Sequence, residues 1–509
     1  KRLAAQLVIL AGTTTDIGER RFSYNRLEYS LNDIRYVLGR ARVVKDGNAT
    51  ASVVIITEPA RKDFYLKYLS ESAFPIESQL DHNLGEHLNT EIVSKIISTK
   101  QDAIDYLTWT LFYRRLVQNP NYYGLTQGVS HQYLSEFLSE LIENALNDLQ
   151  ACKCIAQQGS DTDDDVLGAL NLGIIAAYYS ISYSTINLIS VSIREKTKMH
   201  LLIDLISACN EFESITIRTD NESAILSKIA AHVPLKPPAA VSNSETQLSQ
   251  YVNPRSKVHL LIQSHLHRME LSSSELEEDR KQCLILALRI VHASVDVIAS
   301  EGWLKPALFA MELSQMLVQA CWDRSQPIYQ LPHMSKAIAD RLLALNVEGI
   351  FDVLDLEEKD RNHAFQLPRN QMKDVATFCN VYPNVEFSAE FVDGMNEYIE
   401  SESVVVEVSL QREVEDDEEE SEKTTKKNEM VPKVFAPKFP MEKDEGWWIC
   451  VGDVKRNQLL GIRRVALKSS ARVKIQFQCP MLEPGQEINE QRVLKVYLMC
   501  DSYLGVDQE

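Results

Sequence analysis

No glycine-rich phosphate cradle is present. "GTTTDIGER", starting at Gly12, gathers a glycine and hydroxyls, but no G-x-x-x-x-G-K-[ST] spacing follows, so no lysine reaches a β-phosphate. A D-E-x-H-type metal-binding motif is missing too, and the chain is not expected to hydrolyse ATP. His82 and His87 are five apart with Glu86 between them, which is not H-E-x-x-H, and no G-x-S-x-G occurs. His265 and His267 in "SHLHRM" are two apart on an expected helix and point away from each other, so a half-exposed helical face is expected there, not a metal site. The nine cysteines are scattered singly apart from Cys152 and Cys154. A C-x-C pair with no second pair and no histidine cluster is not a zinc site, and reduced thiols suit a cytosolic or nuclear compartment. No apolar run approaches the roughly 20 residues that cross a bilayer. "KRLAAQLVILAGTTT" has a basic start, but its apolar core of about seven residues is short for a signal peptide and reads as a buried strand. Positive charge is scarce: 53 basic residues face 72 acidic ones, a net −19. Such a surface disfavours non-specific attachment to phosphate backbones and favours protein partners, with a local basic channel left open.

What is present is an ordinary soluble composition, 45% hydrophobic and 25% charged, over 509 residues, enough for several domains. "AAQLVIL" and "SVVIITE" are apolar runs typical of strands covered on both faces, and "EPARKDFYLKYLSES" follows as a helix with Pro59 near its first turn. Residues 1–70 thus read as the end of an α/β unit, the chain beginning in the middle of one. "KQDAIDYLTWTLFYRRL" reads as a helix with Ile104, Leu107 and Leu111 on one side. "SHQYLSEFLSELIENALNDL" is a second, apolar from Leu134 to Leu149 at helical spacing, with Ser130 as N-cap. Residues 71–158 therefore suggest a winged helix, and the acidic "GSDTDDDVLG" marks its boundary. Residues 168–325 are expected to be a helical bundle, broken where Pro234, Pro237 and Pro238 forbid a regular helix. Short helices follow over 326–384, with a helix-hairpin-helix-like turn at Val347 to Gly349. After Asn384 strands are expected. "SVVVEVSLQR" alternates Val404, Val406, Val408 and Leu410, and "EGWWICVGDV", "LLGIRRVALK", "ARVKIQFQCP" and "RVLKVYLMCD" continue at the spacing of an immunoglobulin/fibronectin-like all-β sandwich over 400–509. Its acidic insertion, 413–430, is expected to be a disordered, solvated loop.

"YVLGRARVV", Tyr36 to Val44, resembles motif six of superfamily-two helicases of the Ski-two-like branch, close to Q-M-x-G-R-A-G-R. Tyr36 stands for the glutamine, Gly39 and Arg40 match the glycine-arginine pair, and Arg42 and Val43 replace the closing glycine and arginine. In such motors that last arginine neutralises charge on the transferred phosphate; Val43 has none, and Tyr36 lacks an amide for the nucleotide. Gly39 and Arg40 are thus a nucleotide-binding remnant. The plainer reading has Leu38 and Gly39 packing a helix start and Arg40 and Arg42 on the surface.

The order strand tail, winged helix, bundle, hairpin unit, sandwich goes with the phrases "DAIDYLTWTLFYRRLVQNPNYYGL", "LNLGIIAAYYSISYSTI", "SEGWLKPALFAMELSQMLVQACW" and "EGWWICVGD". Together they resemble, nearly end to end, the second cassette of the large spliceosomal U5 RNA helicases that unwind paired U4 and U6 RNAs, with its Sec63-homology unit. The resemblance implies that residues 1–70 end a second RecA-like domain. It implies a mainly α, multidomain pseudo-helicase cassette, without catalytic residues or cofactor of its own, where the parent protein uses ATP. It also implies a nuclear location. The implied partners are a large splicing scaffold with a Jab/MPN-type domain, a GTPase of the same particle, the protein's own N-terminal cassette and snRNA; no membrane is implied.

In active cassettes a bundle helix lines the RNA channel in a region like S-A-G-R-L-M-R-A, matched here by Leu286 to Ala293. Leu284, Leu288, Val291, Val295 and Ile298 make a buried seam, beside a stripe of Ile285, Arg289, His292 and Asp296. Arg289 matches the first channel arginine, His292 replaces the second, and Leu286 and Leu288 depart from the family pattern, so Arg289 and His292 are RNA-channel candidates against plain helix-surface residues. Trp447 and Trp448 face opposite ways on one strand: one is core, and the other is either sandwich-edge packing or a partner anchor. The leading expectation is a non-catalytic interaction platform; the rivals are an RNA-contacting part of an ATP-driven helicase and a single-strand RNA-binding module.

Overall fold

The computed structural model describes residues 5–16, 26–41, 50–70, 76–125, 130–158, 166–215, 217–218, 220–237, 253–322, 326–392, 403–413, 431–478 and 493–509. Helix accounts for 52% of them, with a winged helix and several small sheets. Arg42 and Val43, the acidic stretch 159–165 and nearly all of the acidic insertion (414–430) lie outside the described residues.

The first unit has a parallel pair, β1 (Leu7–Ala11) and β4 (Ser52–Ile56), an antiparallel pair, β2 (Thr14–Asp16) and β3 (Arg26–Glu28), and two helices, α1 (Leu31–Leu38) and α2 (Lys62–Ser70). Ile34 and Tyr65 of the helices close over Leu10 and Ile55. Among the described residues only one face is covered: Leu7, Ile9 and Ile56 stay more than half exposed, where the apolar runs predict cover on both.

The winged helix comprises α3 (Leu84–Val93), α4 (Lys100–Thr108), α5 (Leu111–Gln118), α6 (His131–Ala151) and the antiparallel pair β5 (Ile155–Gln158) and β6 (Val166–Ala169). Ser130 caps α6 as expected. The single helix expected over Lys100–Leu116 is two: it breaks at Trp109 and Thr110, whose hydroxyl bonds back to Leu107, and Leu111 is exposed while Phe112 and Leu116 are buried. β5 and β6, on either side of the acidic stretch in sequence, pair with each other.

The bundle follows: α7 (Asn171–Tyr179), α8 (Tyr183–Ser192), α9 (Met199–Ile206), α10 (Asp220–His232), α11 (Pro254–Leu266), α12 (Ser274–Ser300) and α13 (Leu304–Gln319). Gly173 of α7 meets the Cys154 carbonyl so closely that a Cβ would collide with it, and Asn89 of α3 donates to the Gly173 carbonyl at 3.0 Å, so the winged helix is docked on the bundle. Over Ser274–Ser300, α12 is long and apolar enough to cross a membrane, contrary to the expectation of no such run, but 67% of that window is buried inside the protein. The predicted seam of α12 is buried throughout. His265 of α11 is also buried, its Nε2 2.8 Å from the Leu317 carbonyl, and burial pulls its pKa down to about 4, so the half-exposed face predicted for "SHLHRM" is confined to His267, Arg268 and Met269.

Four short helices come next: α14 (Lys336–Ala344), α15 (Ile350–Asp355), α16 (Glu358–Phe365) and α17 (Arg369–Val381). Asn346, at a φ of 60°, turns the chain between the first two, and Asp352 accepts from the N–H groups of Glu348 and Gly349. The last strands form two three-stranded antiparallel sheets. One has the order β11 (Ser470–Gln478), β8 (Ser403–Arg412), β7 (Val385–Phe391); the other β10 (Gln458–Val465), β9 (Trp447–Asp453), β12 (Leu494–Cys500). Val404, Val406, Val408 and Leu410 alternate inward as expected. β9 is buried at all seven positions. Trp447, Ile449 and Val451 join the core shared with β8 and β11, while Trp448 and Cys450 join the core of the bundle. Continuous apolar strands read this way when both faces are covered, and here the second cover is α12 and α13.

Candidate functional site

Two regions hold the predicted residues. The first is the end of α1. Gly39 caps the helix with its N–H on the carbonyls of Arg35 and Val37, so Leu38 and Gly39 close a helix and do not start one. Arg40 folds back one turn: its guanidinium donates to the Tyr36 hydroxyl and sits 4.4 Å from the centre of that ring. The predicted nucleotide-facing cation is thus engaged by the residue in place of the glutamine. That bond takes one of the guanidinium's five N–H donors.

The second region is the seam between the bundle and the β10-β9-β12 sheet, where His292 meets Trp448, with Trp447 on the opposite face of β9. His292 is 8% exposed and does not face a channel. Arg464 Nη2 donates to its Nδ1 at 2.9 Å, so Nε2 carries the proton and meets Ser314 Oγ at 3.0 Å; Ser314 in turn donates to the Asp501 carbonyl at 2.8 Å. A charged imidazole would turn Nδ1 into a donor facing a guanidinium. Burial, then Arg464, pull the His292 pKa down to about 3. Its ring stands edge-on to Trp448 at 5.3 Å, and Arg464 covers the same indole at 5.1 Å. Asp501 accepts from Gly446 N–H at 3.0 Å, Lys443 Nζ at 2.5 Å and Arg464 Nη2 at 3.3 Å. Burial pushes that carboxyl up, but the Lys443 charge, with hydrogen bonds from Lys443 and Ser502, outweighs it and holds it below the usual range.

Trp447 and Trp448 are 0% and 1% exposed, so neither is an anchor for an outside partner: the surface that Trp448 meets is the chain's own bundle. Trp447 Nε1 donates to Glu445 at 2.7 Å, and Glu445 also receives Arg412. Arg289 lies apart from the seam, half-buried, with a buried Nε that has no hydrogen-bond partner among the described residues.

Sequence reasoning missed Arg464, Asp501 and the amides of α13. Gln315 donates to the Cys500 carbonyl at 2.7 Å and Gln319 to the Ser502 carbonyl at 2.9 Å; Gln330, beyond α13, donates to the Leu504 carbonyl at 2.8 Å. One signal was available: Ser314, Gln315 and Gln319 interrupt an otherwise apolar helix, and buried polar groups need partners.

Residues 169–509 match the Sec63 Brl domain, and residues 77–158 a Winged Helix-turn-helix domain. The whole chain is 42% identical to the U5 small nuclear ribonucleoprotein 200 kDa helicases of Drosophila melanogaster and Homo sapiens, and 40% identical to the DExH-box ATP-dependent RNA helicase DExH12 of Arabidopsis thaliana. It spans 22% of the length of each of these relatives. The chain therefore belongs to the Sec63 Brl domain family, joined to a winged helix, and is homologous to the C-terminal region of the U5 small nuclear ribonucleoprotein 200 kDa helicases.

Proposed function

We propose that this chain is the non-catalytic part of a pseudo-helicase cassette in a nuclear, spliceosomal RNA helicase, where it serves as an interaction platform and regulates the active cassette. In this reading residues 1–70 end a RecA-like domain, and the helical unit and β-sandwich are those of a Sec63-homology unit. The observation that carries the reading is the engagement of Arg40 by Tyr36, which bonds the motif's matching arginine to the residue in place of the glutamine. The single body made by Trp448, His292 and Asp501 supports it too, because a rigid surface loses little entropy on binding. Partners would be a splicing scaffold with a Jab/MPN-type domain, a GTPase of the same particle and the parent protein's N-terminal cassette; ATP would belong to that cassette. In the full-length protein, Arg40→Ala is expected to leave ATP turnover unchanged within about twofold; a loss of orders of magnitude, the scale of a working phosphate-binding arginine, refutes the reading.

One observation favours a second reading, contact with RNA. Arg289 is the predicted channel residue, and it has a buried, unpartnered Nε. If RNA passes there, Arg289→Ala weakens oligonucleotide binding and flattens its salt dependence by about one charge; an unchanged salt slope removes this reading.

A further inference from the structure

Between Asp453 and Glu483 the sequence holds seven basic residues and no acidic one, in a chain whose net charge is −19. Lys455 and Arg456 sit in the turn between β9 and β10, and Arg464 turns inward over Trp448. The other four, Arg463, Lys468, Arg472 and Lys474, are exposed along β10, β11 and the turn between them. Lys474 has a counterion, Glu407 on β8, at 3.8 Å. Arg463, Lys468 and Arg472 have none among the described residues.

Among the described residues, part of the backbone beneath these cations is also open. β11 ends one sheet and has a ladder partner on one side only. β10 ends the other; its outer side is bridged to Trp303 at Gln458 and open from Gly461 to Val465. The two edges come together where the Cβ position of Gly461 lies 2.7 Å from Ile475. Along β11 the exposed Arg472, Lys474 and Gln476 alternate with the half-buried Val473 and the buried Ile475 and Phe477. Same-side residues of a strand repeat every ~6.8 Å, the repeat that an added strand would present in return.

We infer that this β10–β11 edge is a docking strip for an acidic, extended protein segment. RNA phosphates would satisfy the cations but leave the strand's N–H and C=O groups unpaired, whereas an added peptide strand satisfies both. Edge charges also guard against self-pairing; that role needs no single sign, and one sign is maintained here against the acidity of the whole chain. The inference rests on the platform reading for the existence of a partner, yet the two fail separately, because one is read from nucleotide turnover at Arg40 and the other from peptide binding at β10–β11.

The test is fluorescence anisotropy on the full chain with three labelled probes of equal length: an alternating Glu-Thr peptide, the same peptide interrupted by prolines at unchanged charge, and oligouridylate. The unbroken peptide is expected to bind, the proline peptide about tenfold more weakly, and the RNA more weakly than the unbroken peptide. The triple variant Arg463→Glu, Arg472→Glu, Lys474→Glu lowers peptide affinity by at least about tenfold. If that variant melts early, Arg472→Gln with Lys474→Gln serves, with a smaller drop in the same direction. Absence of peptide binding, equal binding of the proline peptide, tighter binding of RNA or indifference to these substitutions each overturns the inference.

Discussion

The seam at His292 makes the sharpest quantitative prediction. An imidazole in the unfolded chain titrates near 6.5, whereas burial and then Arg464 hold His292 at about 3. The unfolded chain therefore takes up the proton first. The stability that His292 contributes is complete above about pH 6.5 and is lost as pH falls toward the folded value. At about pH 5 the unfolded state gains RT ln(1 + 10^1.5), about 2 kcal/mol, that the folded state does not share. Asn at this position keeps an acceptor for Arg464 and does not titrate. Urea unfolding followed through the fluorescence of Trp448, which His292 and Arg464 touch, should lose about 2 kcal/mol more in the wild type than in His292→Asn between about pH 7.5 and 5. The groups facing the imidazole, Arg464, Asp501 and Lys443, are common to both proteins, as is the buried His265. Equal losses in the two proteins would show that the imidazole is already charged, or solvated, in the fold.

Trp448→Ala should cost about 3–5 kcal/mol and accelerate hydrogen exchange in both α12 and β9, because the indole lies in the bundle core while its strand belongs to the sheet. Gly173→Ala, whose Cβ would meet the Cys154 carbonyl, should loosen the winged helix from the bundle, seen as faster proteolysis between α6 and α7 at an unchanged helix content. Burial raises the Asp507 pKa to about 6, so its stabilising effect is present below the unfolded value and lost as pH rises through about 6. Asp507→Asn, still able to accept from Gln315 and the Cys500 N–H, should therefore be the more stable protein at about pH 7.5 by up to about 3 kcal/mol, with the gap closing on acidification in paired urea titrations.

Periodicity made α6, the seam of α12 and the alternation of β8 legible, because in each a single face decides burial. It failed where both faces are covered. "WWICVGD" was read as a strand with one inner face, and nothing local to those residues announces that the second face meets α12. His292 falls on a surface stripe for the same reason: its neighbours Ile285 and Arg289 lie on the open side of α12, and the groups that cover the imidazole, Ser314, Trp448 and Arg464, come from elsewhere in the chain. The split between α4 and α5 was hidden by an apolar pattern that runs on through Trp109. At the motif remnant the residue types foretold a lost charge, but not that Arg40 would turn onto Tyr36.

The glutamines of α13 reach carbonyls at the far end of the chain; Gln319 and its partner Ser502 are 183 residues apart. On the ribosome, at about 5–20 residues per second, α12 and α13 emerge roughly 10–40 s before the strand and tail that cover them. For that interval the nascent bundle displays an apolar wall whose amides bond only water. A premature stop late in the message would therefore release a bundle with that wall uncovered, a surface prone to aggregate.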